Sequence, residues 1–126
     1  MIRILASSPH FLVRDLAKAG KYYEETLGFK IAEYWGDPPV FAMPHRDGII
    51  VMLNQVAGLE PKPNGEEGIW DAYFWCSDVE GLYEEFRNTK ADIMHRPEFR
   101  QRYQMREMAV RDLDGYMLVF AQRTET

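Results

Sequence analysis

The feature that most constrains this chain is an internal repeat. Residues 9–23 read PHFLVRDLAKAGKYY and residues 72–86 read AYFWCSDVEGLYEEF. At an offset of 63 residues Phe11 meets Phe74, Asp15 meets Asp78, Leu16 meets Val79 and Tyr23 meets Phe86. Identity is low, yet both copies run from an apolar strand through an Asp into an amphipathic helix. Asp suits that position because its carboxylate accepts a backbone N–H of the first turn and its charge complements the helix dipole. The spacing of Leu16, Ala19, Tyr22, Tyr23 and Leu27, closed by Gly28, predicts a helix near 15–27. Val79, Leu82, Tyr83 and Phe86 predict another near 78–90. Asp47-Gly48 and Asp114-Gly115 are hairpin signals, each followed by an apolar strand, at Ile49–Leu53 and Tyr116–Phe120. Residues 29–35, 40–44, 92–95 and 105–111 read as the remaining strands. Each half is thus β-α-β-β-β, and the fold class is α+β.

Length and charge narrow the function. A chain of 126 residues fits one domain, with module one at about 1–56, a Gly- and Pro-bearing linker at about 57–68 and module two at about 69–126. The net charge of −5 argues against a nucleic-acid backbone as partner. No apolar run reaches the ~20 residues of a membrane span, and no secretory signal is evident. A single cysteine, Cys76, excludes an internal disulfide or a multi-cysteine metal site. A cytoplasmic location is expected.

Val13-Arg14-Asp15-Leu16, Tyr22-Tyr23, Leu27-Gly28-Phe29, Ser77-Asp78-Val79 and the run from Arg106 to Tyr116 together resemble the vicinal-oxygen-chelate superfamily. That superfamily includes glyoxalase I, extradiol dioxygenases and bleomycin-resistance proteins. The resemblance implies tandem βαβββ modules forming a curled mixed sheet around a cavity, with helices outside. It also implies a metal held by four side chains. Carried over position by position, the ligands fall on Ser8, Val51 or Met52, Asp71 and Val119. Hydrocarbons cannot ligate a divalent ion, so this set offers one hydroxyl and one carboxylate. No metal and no cofactor are expected at these positions, which favours the metal-free branch resembling bleomycin-resistance proteins.

Side chains alternate faces along a strand. If Ser8 faces the cavity, so do His10 and Leu12. The same phase turns Asp71, Tyr73, Trp75, Met105, Glu107, Ala109, Met117 and Val119 inward. Trp35, Phe41 and Tyr103, near strand ends, add aromatic surface suited to pocket mouths and interfaces. Several of these residues have plainer readings. His10 also fits a hydrogen-bonded core histidine, Asp71 a solvent-facing strand start, and Glu107 a surface ion pair beside Arg106. The expected function is binding of an apolar or aromatic small molecule, by a chain that pairs as a homodimer. The alternative is a lyase or dioxygenase-type enzyme with a rearranged metal or acid–base site built from His10, Asp71 and Glu107.

Overall fold

The computed structural model describes residues 1–65 and 69–126; the last three linker residues, 66–68, lie outside them. Two four-stranded mixed sheets are formed. The first contains β1 (His10–Leu12), β2 (Tyr34–Trp35), β3 (Phe41–Ala42) and β6 (Met52–Asn54), in the order β1-β6-β3-β2. The second contains β7 (Ala72–Trp75), β8 (Asp92–Arg100), β9 (Met105–Arg111) and β10 (Met117–Arg123), in the order β7-β10-β9-β8. In each, the strand that precedes the helix lies parallel to the module's last strand, β1 on β6 and β7 on β10. A small hairpin of β4 (His45–Arg46) and β5 (Ile49–Ile50) extends the first module. The α+β class and the repeated βαβββ plan are therefore those of the molecule.

Both helices are shorter than the apolar spacing suggests. α1 spans Leu16–Glu25 and α2 spans Val79–Asn88, with Asp15 and Asp78 as their N-caps. The two start in the same way. Asp15 accepts the Lys18 N–H at 3.1 Å, and Asp78 accepts the Gly81 N–H at 3.0 Å. A second acceptor comes from the far end of the module: Gln55 takes the Leu16 N–H at 2.8 Å and Gln122 takes the Val79 N–H at 3.0 Å. Each helix is thus fastened to its own last strand through two of the N–H groups that a helix start leaves open.

The strands also depart from expectation. Strand β8 runs on to Arg100, past irregular register at His95 and again before Glu98, and β10 runs on to Arg123. In module one the ladders are short. Of residues 29–35 only Tyr34 and Trp35 form a strand, with Lys30 bridging to His45. The 40–44 segment breaks at Pro44, which has no N–H to give a ladder and instead accepts the Val51 N–H. The two Asp-Gly turns differ in build. Asp47 (φ 52°) and Gly48 (φ 80°) close a two-residue hairpin whose central residues both need positive φ. At the other turn the Asp112 side chain accepts the Asp114 and Tyr116 N–H groups, and only Gly115 (φ 95°) is left-handed.

One continuous core joins the modules, built from Phe11, Val13, Leu16, Tyr23, Leu53, Phe86, Met108, Val110, Leu118 and Phe120 among others. Phe11 stacks on Tyr116 across the junction with ring centroids 4.1 Å apart, and the Tyr116 hydroxyl donates to the Leu12 carbonyl at 2.7 Å. Tyr23 of α1 donates to the buried Asp112 carboxylate at 2.7 Å. On the other side Arg46 forks onto Glu85 of α2 and also donates to the Leu27 carbonyl.

Two outcomes follow from these contacts. Replacing Gln122 with Ala leaves the Val79 N–H without its partner and is expected to lower unfolding free energy by about 1 kcal/mol, read by urea denaturation. Burial pushes the Asp112 carboxyl up to about 6, against the opposing hydrogen bonds from Tyr23 and the backbone. The folded value lies above the unfolded one, so folding favours the protonated form. Stability from this group is complete below pH 4 and is lost as pH rises through 6. Relative to Asp112→Asn, the wild type should lose on the order of 3 kcal/mol across that window; parallel pH profiles of the two would refute the assignment.

Candidate functional site

Core packing decides which face of each strand is open. Phe74, Met108, Val110, Leu118 and Phe120 pack toward the helices, so Tyr73, Trp75, Met105, Glu107, Ala109, Met117 and Val119 share the opposite face. The sheet curls enough to bury the middle of that face: Met105, Glu107, Ala109 and Val119 are all buried. Val119 sits between Tyr73 and Ala109 in the ladder.

At the centre of the second sheet stands Glu107, only 3% exposed. Its carboxylate accepts from the Tyr73 hydroxyl at 2.7 Å, the Tyr103 hydroxyl at 2.8 Å and Arg100 Nε at 3.1 Å. Arg100 in turn donates to Glu98 at 2.9 Å. Glu107 is thus neither a surface residue nor a partner of Arg106, which instead reaches Glu80 of α2 from the other face. Burial raises the Tyr73 phenol above its usual range, with the Glu107 hydrogen bond and charge acting in the same sense. An ionised carboxylate can only accept, so both phenols must donate to it and turn their lone pairs away. Trp70 and Trp75 flank Tyr73, each with its ring centroid 5.1 Å from that of Tyr73. Trp75 is 73% exposed, so the row ends in open aromatic surface.

Module one offers a lesser version. Ala42 and Leu53 are buried in the core, so Trp35, Phe41, His10, Leu12 and Met52 take the other face. Phe41 lies 5.7 Å from Trp35 and 6.4 Å from His10 between ring centroids. His10 is exposed, which removes the core-histidine reading.

The remaining positions are structural. Ser8 donates its hydroxyl to the Ile50 carbonyl at 2.8 Å. Asp71 accepts the Asn64 N–H on one oxygen and the Met117 N–H on the other, both at 2.8 Å, so it ties the linker to the sheet. Val51 is fully buried in the core, which leaves Met52 on the open face. The four positions that the family resemblance marks for a metal therefore present a hydroxyl and a carboxylate engaged by backbone, a thioether and a hydrocarbon. That donor set does not fit the group. Nor do His10, Asp71 and Glu107 meet: among the described residues no three His, Cys, Asp or Glu side chains are placed to hold an ion.

Sequence reasoning missed two things. Arg100 completes the Glu107 cluster, and its placement depends on β8 continuing past the expected end at residue 95. The second is a groove of about 470 Å³ between the modules, which shares Trp75 with the aromatic row but none of the Glu107 cluster's hydrogen-bonding residues. It is lined by Phe29, Arg46, Ile49, Trp75, Cys76 and Leu82 among others. Cys76 is half-buried there, and burial raises its thiol pKa.

This fold agrees with the comparisons. The chain belongs to the Glyoxalase/Bleomycin resistance protein/Dioxygenase superfamily, whose family model matches residues 7–120. Among solved structures it is similar to TioX from Micromonospora sp. ML1, at 19% identity over 93% of this chain and 97% of that one, with a TM-score of 0.74. It is also similar to a glyoxalase/bleomycin resistance protein/dioxygenase from Alicyclobacillus acidocaldarius, at 15% identity over 94% and 91% of the chains, TM-score 0.78. A protein of the same description from Nocardioides matches at 17% identity over 99% and 87%, TM-score 0.72. At these identities the likeness is one of fold. No curated protein matches the chain in sequence. Among the described residues no helix is long and apolar enough to cross a membrane.

Glu107→Ala would strand two phenols and a guanidinium that now share one buried acceptor. It is expected to cost about 2–4 kcal/mol of stability in urea denaturation, with Glu107→Gln costing less because an amide oxygen still accepts. Equal, negligible losses in both would show that the cluster carries no net stabilisation.

Proposed function

We propose that this chain is a small-molecule binding protein that holds a flat apolar or aromatic ligand against the open sheet face of module two. The observation that carries the reading is the row Trp70–Tyr73–Trp75, half-buried at Tyr73 and exposed at both tryptophans, beside the buried Glu107 cluster. Aromatic faces supply apolar area at low side-chain entropy, and the satisfied polar cluster keeps the floor of the site rigid. The unfit donor set at the family's metal positions favours binding over metal-dependent turnover. The partners in this reading are the ligand and a second copy of the chain, not nucleic acid or membrane, in the cytoplasm. Pairing is favoured because Trp35, Val40, Trp70, Trp75, Met94 and Tyr103 remain exposed in the single chain.

The test is tryptophan fluorescence with a panel of planar aromatic probes such as acridine and anthracene-9-carboxylate. At least one probe should quench emission and raise the melting temperature, and Trp75→Ala should weaken its binding at least tenfold. A panel that moves neither signal would overturn the reading. Sedimentation of the unliganded chain as a monomer at micromolar concentration would overturn the pairing.

A further inference from the structure

The cluster beside the aromatic row is one-sided in its hydrogen bonding. Tyr73 and Tyr103 donate to separate oxygens of Glu107, at 2.7 and 2.8 Å. Arg100 Nε adds a third donor at 3.1 Å, on the oxygen that Tyr103 also uses. A carboxylate has only acceptor sites to give, and this one is 3% exposed. Neither phenol can turn its proton elsewhere without leaving a buried acceptor short of a partner. Burial first, and Glu107 second, raise both phenols above their ordinary range, so each keeps its proton for that bond.

A phenol that donates still has lone pairs to offer. Two other tyrosines of this chain use theirs. Tyr22 donates to the Arg111 carbonyl and accepts the Asp92 N–H, and Tyr116 donates to the Leu12 carbonyl and accepts the Lys62 N–H. Tyr73 and Tyr103 are different: among the described residues nothing donates to either oxygen. Tyr73 is half-buried on the open sheet face, and Tyr103, 39% exposed, brings its hydroxyl to the same face from the turn between β8 and β9. The site therefore holds two idle acceptors whose polarity one buried carboxylate has fixed.

Charge points the same way. Arg100 Nη1 goes to Glu98 at 2.9 Å, so one guanidinium serves two carboxylates and the cluster carries one excess negative charge. An acceptor group brought here, above all a carboxylate, meets filled lone pairs and like charge. A donor meets oxygens that no protein group occupies. Discrimination of this kind is strong because the wrong polarity leaves polar groups unpaired, whereas the wrong apolar shape loses only contact area.

We propose that the ligand of this face is an aromatic amine, its ring against the tryptophans and its N–H groups donated to the phenol oxygens of Tyr73 and Tyr103, with Glu107 as the positioning residue that sets their polarity. This rests on the binding reading above and supplies the polar half of the ligand. Three probes of one ring system separate polarity from stacking: 2-aminoanthracene, 2-methylanthracene and anthracene-2-carboxylate, each titrated against the full chain by fluorescence at neutral pH. The amino group of the first is uncharged there, so a preference for it over the methyl compound reports hydrogen bonding and not charge. The amine should bind about tenfold tighter than the methyl compound, and the carboxylate weakest of the three.

Replacing both tyrosines, Tyr73→Phe with Tyr103→Phe, should erase the amine-over-methyl preference. Glu107→Gln tests the polarity with both phenols kept. Its amide N–H donates to one phenol, whose own proton then turns to the ligand, so the carboxylate probe should gain about tenfold relative to the amine. A purely structural role for Glu107 would move all three probes together, and an unchanged ratio in this variant overturns the proposal. Equal binding of the amine and the methyl compound by the wild type also overturns it, while leaving the aromatic face as a binding surface. Tighter binding of the carboxylate overturns it in favour of Arg100 Nη2 or the indole N–H groups as the recognising donors. If none of the three probes binds, the binding reading falls and the amine assignment falls with it.

Discussion

A sheet that carries one helix must give that helix one of its faces, and alternation then commits every second side chain to the other. The rest of the molecule depends on that constraint. Here it is held by the start of each helix, where an Asp cap and a Gln from the last strand take two N–H groups. The Gln does more than close a helix end. It ties the register of the final strand to the position of the helix, so a one-residue slip would cost both the cap and the facing of Val119 or Met52. The same device in both modules explains how two sequences of such low identity keep one geometry.

Between the modules the contacts are of a different sort. The Phe11–Tyr116 stack supplies apolar area, but direction comes from hydroxyls: Tyr116 to the Leu12 carbonyl, Tyr23 to Asp112, Thr89 to the Thr26 carbonyl. Asp112 is the unusual member. It is buried without a cation, and its stabilisation comes from one phenol and two backbone N–H groups. Such an arrangement shapes the turn that receives α1 but penalises the charge, so the junction is favoured in mild acid and weakened as pH rises through about 6.

Much of this was legible in the residues, and the limits have physical causes. The repeat, both caps and both Asp-Gly turns are local signals, and each stands where the sequence places it. The inward phase of Tyr73, Glu107 and Val119 follows from period two once the family resemblance fixes the face of one position on a strand. The apolar spacing overstates both helices because Leu27 and Lys90 keep the apolar or polar rhythm after the i→i−4 ladder has ended at Thr26 and Thr89. Strand lengths in module one were overestimated because Pro44 interrupts ladders that its apolar neighbours would otherwise extend. Gln55 and Gln122 carried no visible signal: a glutamine after a strand is unremarked until the helix start it reaches is known. Arg100 and the junction groove are tertiary facts. They require the length of β8 and the packing of one module on the other, neither of which a local pattern encodes.

Glu107 gives the second sheet a buried polar centre at a position other than the one that the family resemblance marks for a carboxylate. A carboxylate at Val119 would share the open face with Tyr73 and Ala109; in this chain a hydrocarbon fills that place and the nearby carboxylate stands on β9 instead. There it accepts three hydrogen bonds from side chains and is shut from solvent. Bringing a cation to that carboxylate would mean displacing Arg100 and two phenols from a buried position, each of which would then need a new partner. Trp75 meets no such obstacle, since its ring is already bare. The energetics therefore favour a ligand that adds contacts on the aromatic row and leaves the cluster beneath it undisturbed.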